Sequence, residues 1–326
     1  MEPAIRTDQE PSGLLLSTDY RGAFGADLRL RRGAEQGLLH RVSRGAYIEA
    51  ARWSALDAGG RYALVVHAAA AARRTELALS HQSAAVLWGL PLLEAWPREV
   101  HFLVERASGG RSDPGIRKHA VRLDPRDITT RHGVLCTTVV RTVVDLAGTL
   151  DLKSAVAVAD RALAVDRSGR APTLATRADL LEQWERMLPF RGSVRARAVI
   201  DFASHLSGSP NESGSRVNIA LSGFPEPILQ HPFDVDGKLV FVDFFWIDEE
   251  SVGEADGKVK YFDPVMLAGR TAADVVYEEK RREDGVRRQV RGFTRWDFPV
   301  AMSQARLRTR LLQLGLPIRR PRLRAS

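Results

Sequence analysis

Of the six carboxylates in one short stretch, "VDFFWIDEESVGEADGK" at residues 242–258, the three that could gather at one point are Asp243, Glu254 and Asp256. Acidic side chains this close repel one another unless a cation or water screens them. Oxygen-rich clusters of this kind suit a hard ion such as Mg²⁺. Leu239 to Ile247 is rich in Val, Phe and Trp and reads as a strand. Asp248-Glu249-Glu250-Ser251 is a polar break, and Val252 to Tyr261 can run back as a second strand. With a turn near Glu249 and Glu250, Asp243 is expected opposite residues 255–256. Period-two alternation puts Glu254, Asp256, Lys258 and Lys260 on one face. The competing reading, open at this point, is a solvated hairpin carrying ordinary surface charge.

The elements that would hold such a cluster belong to a chain of 326 residues, long enough for two or three domains with their own cores. Formal charge is +8, and the pI near 10.0 makes a polyanionic partner plausible. The single Cys136 excludes an intramolecular disulfide and any multi-cysteine zinc site. The eight histidines are scattered without an HxxxH or Cys/His motif, and His81, His101 and His119 read as isolated structural histidines. The polar start "MEPAIRTDQEPSG" is not a signal peptide, and "YALVVHAAAAA" (62–72) is too short to span a bilayer. The expectation is a cytoplasmic protein with no membrane partner.

Along the chain, residues 14–55 form a small basic unit. "DLRLRRGAEQGLLHRVSRGAYI" reads as a short helix, a Gly-containing turn, a further amphipathic stretch ending in a helical turn near Leu39, and a strand pair turning at Gly45. This suggests a winged helix-turn-helix, with Arg29, Arg41 and Arg44 placed to meet DNA phosphates or base edges. Residues 61–165 read as an α+β domain: helices at 61–76 and after Ser80, strands at 99–106 and 116–123, then a strand and helix over 133–150 and a helix at 153–165. Arg141 and Asp145, four apart, predict a helical ion pair. A linker at 166–173 leads to a helical connector, 174–206. Residues 207–315 open with Glu212 near a helix start and continue with strands near 228–235, 238–247 and 252–261. A charged helix, a strand and a last helix follow, and 316–326 reads as a basic disordered tail.

The set "SPNESGSRV…GFPEPILQ…VDFFW…VGEADGKVKY…YEEKRREDGVR…RGFTRWDF" resembles the nuclease-like domains related to the very-short-patch mismatch-repair endonuclease, within the PD-(D/E)xK superfamily. "LSHQSAAVLWGLPL" with "GVLCTTVVRTVVDLAG" resembles actinobacterial proteins that carry an AbiEi-like antitoxin winged helix before such a domain. The resemblance implies a multidomain α/β (α+β) protein: winged helix-turn-helix, middle α+β domain, and restriction-endonuclease-like α/β core. It also implies catalytic roles for Glu212, Asp243 and Glu254 as ligands of Mg²⁺ or Mn²⁺. The family's lysine would fall two residues after Glu254, where Asp256 stands; Lys260, or else Lys258, takes its place. Glu279, Lys280 and Arg282 match the family's charged helix, where Lys280 and Arg282 would contact a DNA phosphate or else only solvate an exposed helix.

Two functions follow from this resemblance. One is a metal-dependent DNA endonuclease, favoured because all three acids are present. The other is a non-catalytic AbiEi-like antitoxin or transcriptional regulator that uses the nuclease fold as a scaffold, which admits a cognate toxin as partner. The displaced lysine argues for the latter.

Overall fold

A computed structural model describes residues 13–20, 26–73, 75–106, 112–165, 173–256 and 272–323. The fold is mixed α/β. Its first part runs β1 (Leu15–Leu16), α1 (Ala26–Glu35), β2 (Leu39–Ser43), β3 (Ala46–Glu49), α2 (Ala50–Ala55), α3 (Ala58–Ala71) and α4 (His81–Trp88). Then come β4 (Val100–Glu105), β5 (Ile116–Val121), β6 (Ile128–Arg131), β7 (Val134–Thr137), α5 (Val139–Thr149), α6 (Leu152–Leu163), α7 (Arg177–Met187) and α8 (Ser193–Phe202). The last part holds α9 (Pro210–Leu221), β8 (Ile228–Val235), β9 (Lys238–Trp246), β10 (Ser251–Ala255), α10 (Ala272–Arg287), β11 (Gly292–Trp296), α11 (Phe298–Ala301) and α12 (Gln304–Gln313). Two compact units divide the chain: residues 1–148 with 178–190, and residues 149–177 with 191–326. This partition differs from the sequence boundaries, because the basic segment and the α+β segment share a unit and α7 returns to it.

In the first unit, the hairpin β2–β3 turns at Gly45 (φ +77°), where a left-handed residue is needed. Leu39–Ser43 is strand from its first residue, not the end of a helix, and α1 is the one helix before this hairpin among the described residues. Leu14, Ala46, Ile48, Leu64 and Ala68 join the hairpin to α3. A second core gathers Tyr62, Val66, Leu79, Leu87, Val100, Phe102 and Cys136. Arg141 does pair with Asp145 (Nε to Oδ2, 3.0 Å), and its Nη1 also donates to buried Asp127 at 2.6 Å. From α7, Gln183 Nε2 and Arg186 Nη2 donate to the other Asp127 oxygen at 3.1 and 2.8 Å.

In the second unit, β8, β9 and β10 are antiparallel, and β11 lies parallel to β10 in the order β11-β10-β9-β8. Asp236-Gly237, both at positive φ, closes β8 onto β9 in two residues, as the right-handed strand twist favours. One sheet face carries Phe244, Trp246 and Trp296, buried with Ile219, Leu307 and Leu311. The two indole N–H groups donate to Pro225 O (3.0 Å) and Ser215 Oγ (2.8 Å), so neither is left unsatisfied. On the other face Phe245 and Val252 pack with Val286 of α10. The C-terminal segment expected to be disordered is instead docked through residue 322. Leu316 is buried, and the Arg319 and Arg322 amides donate to Gly223 O and Ala220 O at the end of α9.

Gly253 sits on β10 where a Cβ would lie 2.5 Å from the Trp296 ring and 3.1 Å from Trp246. Neither ring can yield in this core. Gly253→Ala is therefore expected to destabilise the second unit by about 1–3 kcal/mol, read by chemical denaturation followed through tryptophan fluorescence.

Candidate acidic site

The register places the acids. Ser251 pairs with Trp246, Val252 with Phe245 and Gly253 with Phe244, so the next pair along is Glu254 and Asp243. The expected partner, 255–256, is corrected by this alignment: the turn occupies 247–250 and is centred earlier than Glu249-Glu250. Asp243 and Glu254 therefore stand side by side on one face of the sheet's middle strands. Across the sheet the row continues to Arg295, opposite Glu254 on β11.

Glu212 arrives from α9. Ser209 caps this helix, accepting from the Glu212 amide (3.2 Å), and Glu212 reaches back to accept from Ser209 Oγ and the Gly208 amide, both at 2.8 Å. This is a variant of the capping box, with Pro210 in the first helical turn. The same carboxylate faces the sheet. Gln230 Nε2 donates to Glu212 Oε2 (3.1 Å) and to Asp243 Oδ1 (3.2 Å), using both hydrogens of one amide. Gln230 has φ +52°, a left-handed backbone inside a strand. Asp243 Oδ2 accepts from the Ala255 amide at 2.8 Å.

Glu254 is turned toward α10. Its Oε1 accepts from Arg282 Nη2 at 2.8 Å, and Arg282 also donates to Glu279 (2.9 Å) and to Phe241 O (2.9 Å). Arg282 is thus engaged internally rather than offered to a phosphate. Asp256, which alternation placed with the cluster, is held by Arg295, whose guanidinium also bonds Glu279 and Glu283. Gln230 thus bridges Glu212 and Asp243, Arg282 bridges Glu254 and Glu279, Arg295 bridges Asp256, Glu279 and Glu283, and Arg287 pairs with Glu283.

The donor set is oxygen-only, which fits a hard divalent ion. The amide N–H groups of Gln230 stand where positive charge would be shared by Glu212 and Asp243. The three acids do not, however, converge on one point. Among the described residues, the only group of three or more acidic, His or Cys ligand atoms within 4.8 Å of one another is His81, His101 and His119, because Arg282 draws Glu254 aside. Those histidines, scattered in sequence, are one cluster in the fold. Lys258 and Lys260 lie outside the described residues. Arg29, Arg41, Arg44 and Lys280 are exposed. Gln230 ends the piece "GFPEPILQ" and Arg295 lies within "RGFTRWDF", yet neither piece assigns them a role; their places in a cross-strand row do.

No protein-family model and no curated protein sequence matches the chain. Among the described residues, no helix is long and apolar enough to cross a membrane.

Burial pushes the Glu254 carboxyl up to about 7; Arg282 opposes this and Asp243 reinforces it. A carboxyl raised on folding contributes its full stability below its unfolded value of about 4.5 and loses it as pH rises through about 7. Between pH 5 and pH 8 the wild type is therefore expected to lose stability relative to Glu254→Gln, on the order of 3 kcal/mol. Paired denaturation curves at the two pH values measure this.

Proposed function

We propose that the chain is a DNA-binding protein whose second unit hydrolyses DNA phosphodiester bonds with a divalent metal. The observation that carries the reading is the cross-strand pair Asp243 and Glu254, with Glu212 tied to Asp243 through Gln230. The order α9, three antiparallel strands, α10 and a parallel β11 supports the restriction-endonuclease-like core that the resemblance implies. Mg²⁺ or Mn²⁺ held by Asp243, Glu254 and Glu212 would neutralise the phosphate and acidify the attacking water. Lys260, or else Lys258, is the proposed general base. Exposed Arg29, Arg41 and Arg44 in the first unit, with Lys280 in the second, supply phosphate contacts.

A second reading, the non-catalytic antitoxin or regulator, rests on Arg282. A guanidinium bonded to Glu254 neutralises the acid internally, as a scaffold without metal would require.

The deciding experiment incubates full-length protein with Mg²⁺ or Mn²⁺ and plasmid, mismatched duplex or single-stranded DNA. Nicking is expected, falling on the order of 10²-fold or more in Asp243→Asn, with DNA retention unchanged in a filter assay. A wild type that binds DNA yet cuts none of the three substrates with either metal would establish the scaffold reading.

A further inference from the structure

The histidine cluster of the first unit is assembled at local cost. Residues 78–80 run beside β4, with the Leu103 amide donating to Ala78 O (2.8 Å) and the Ser80 amide to His101 O (3.0 Å). The chain then enters α4 at His81 with φ +50°, a left-handed conformation that is strained for a non-glycine residue. Ser80 is the N-cap of α4, yet its hydroxyl makes no cap hydrogen bond; it lies 3.1 Å from His81 Nδ1 instead. Helix start and backbone are both compromised in favour of one imidazole's position. Strain of this kind gathers where a side chain has a task.

The other two rings come from adjacent strands. In the parallel β4–β5 register His101 faces Arg117 and Leu103 faces His119, so His101 and His119 are diagonal neighbours on one face. His119 Nε2 lies 3.1 Å from His101 Nδ1. The His81 and His119 rings stack with centroids 3.7 Å apart, and one nitrogen from each of the three lies within 4.8 Å of the others. His81 and His101 are buried, while His119 is partly open to solvent. Burial pushes His81 and His119 down to about 3 and His101 to about 4, and the neighbouring rings add to this.

We propose that His81, His101 and His119 bind one transition-metal ion of the zinc class through three imidazole nitrogens. Nitrogen-only donors select zinc, cobalt, nickel or copper over magnesium and calcium. Tetrahedral Zn–N bonds of about 2.0–2.1 Å put neighbouring ligand nitrogens roughly 3.4 Å apart, close to the 3.1 Å of the His101–His119 pair. Parallel rings cannot aim in-plane lone pairs at one point, so binding turns His81 or His119 out of the stack. With Ser80 at Nδ1, His81 offers Nε2. Three ligands leave a fourth position for water on the open His119 side. The Asp145 carboxylate acts electrostatically on His119 in the sense that favours a cation, and Arg117 acts on all three rings in the opposite sense.

Tag-free full-length protein, stripped with a chelator and titrated with Zn²⁺ or Co²⁺, tests the site. One ion per chain is expected, with intense visible Co²⁺ bands that a large excess of Mg²⁺ does not displace. Persistence in Mg²⁺ separates this site from the acidic cluster. His119→Gln and His101→Gln are expected to weaken Co²⁺ binding on the order of 10²-fold or more. Imidazole NMR signals in the wild type keep the test independent of variant folding: Zn²⁺ should shift three histidines together. No retained ion, bands that survive His119→Gln, or unmoved imidazole signals would each overturn the proposal.

Discussion

The second unit depends on one buried carboxylate. Asp160 on α6 accepts from the Ser204 amide (2.7 Å), Ser213 Oγ (2.8 Å) and Arg216 Nη1 (2.7 Å), and Arg216 in turn donates to Phe202 O (2.7 Å). Burial alone would drive Asp160 toward its neutral form, and Arg216 with the two other donors opposes this. Four segments are thereby pinned: α6, the end of α8, the turn after it, and α9. Ser213 is the residue after Glu212, so the pin fixes the helix start from which Glu212 reaches toward the sheet. Lose the pin, and Glu212 loses its bearing on Asp243.

Around the acids the fold balances attraction against repulsion. Gln230, Asp243, Glu254 and Arg295 lie one per strand in a single row, and α10 adds Glu279, Arg282 and Glu283 above it. Each guanidinium serves more than one acid, so no single ion pair is independent of the rest. Such a network ties α10 to β10 and β11.

Much of this was legible in the sequence. Strands 228–235 and 238–246 follow Val, Phe and Trp alternation, and the Asp236-Gly237 pair marks their turn. Ser209-Pro210 before Glu212 announces a helix start, and Asp243 and Glu254 do share a sheet face. The register was harder. A four-residue turn with Glu250 at φ +45° cannot be told from a slightly later one by alternation, and an offset of one or two residues changes the partner of Asp243. Gln230 stands at the end of "GFPEPILQ", but alternation gives it no role, because its backbone departs from the strand it interrupts. The histidine cluster was invisible because its members sit on three elements, and the bend that joins them is a left-handed histidine rather than a glycine. The tail misled because its arginines look solvated, while its order comes from main-chain bonds to α9.

The return of α7 to the first unit has a consequence for biosynthesis. A chain leaving the ribosome exposes Asp127 and Arg141 long before Gln183 and Arg186, the two remaining donors to Asp127, are made. Meanwhile α6, a member of the other unit, has already emerged between them. The first unit must wait, partly open, while its neighbour begins. The stretch at 166–173, which reads as a natural seam, is therefore a poor place to divide the gene. A fragment ending there would bury an aspartate missing two of its three side-chain partners, and would carry α6 without the helices it folds against.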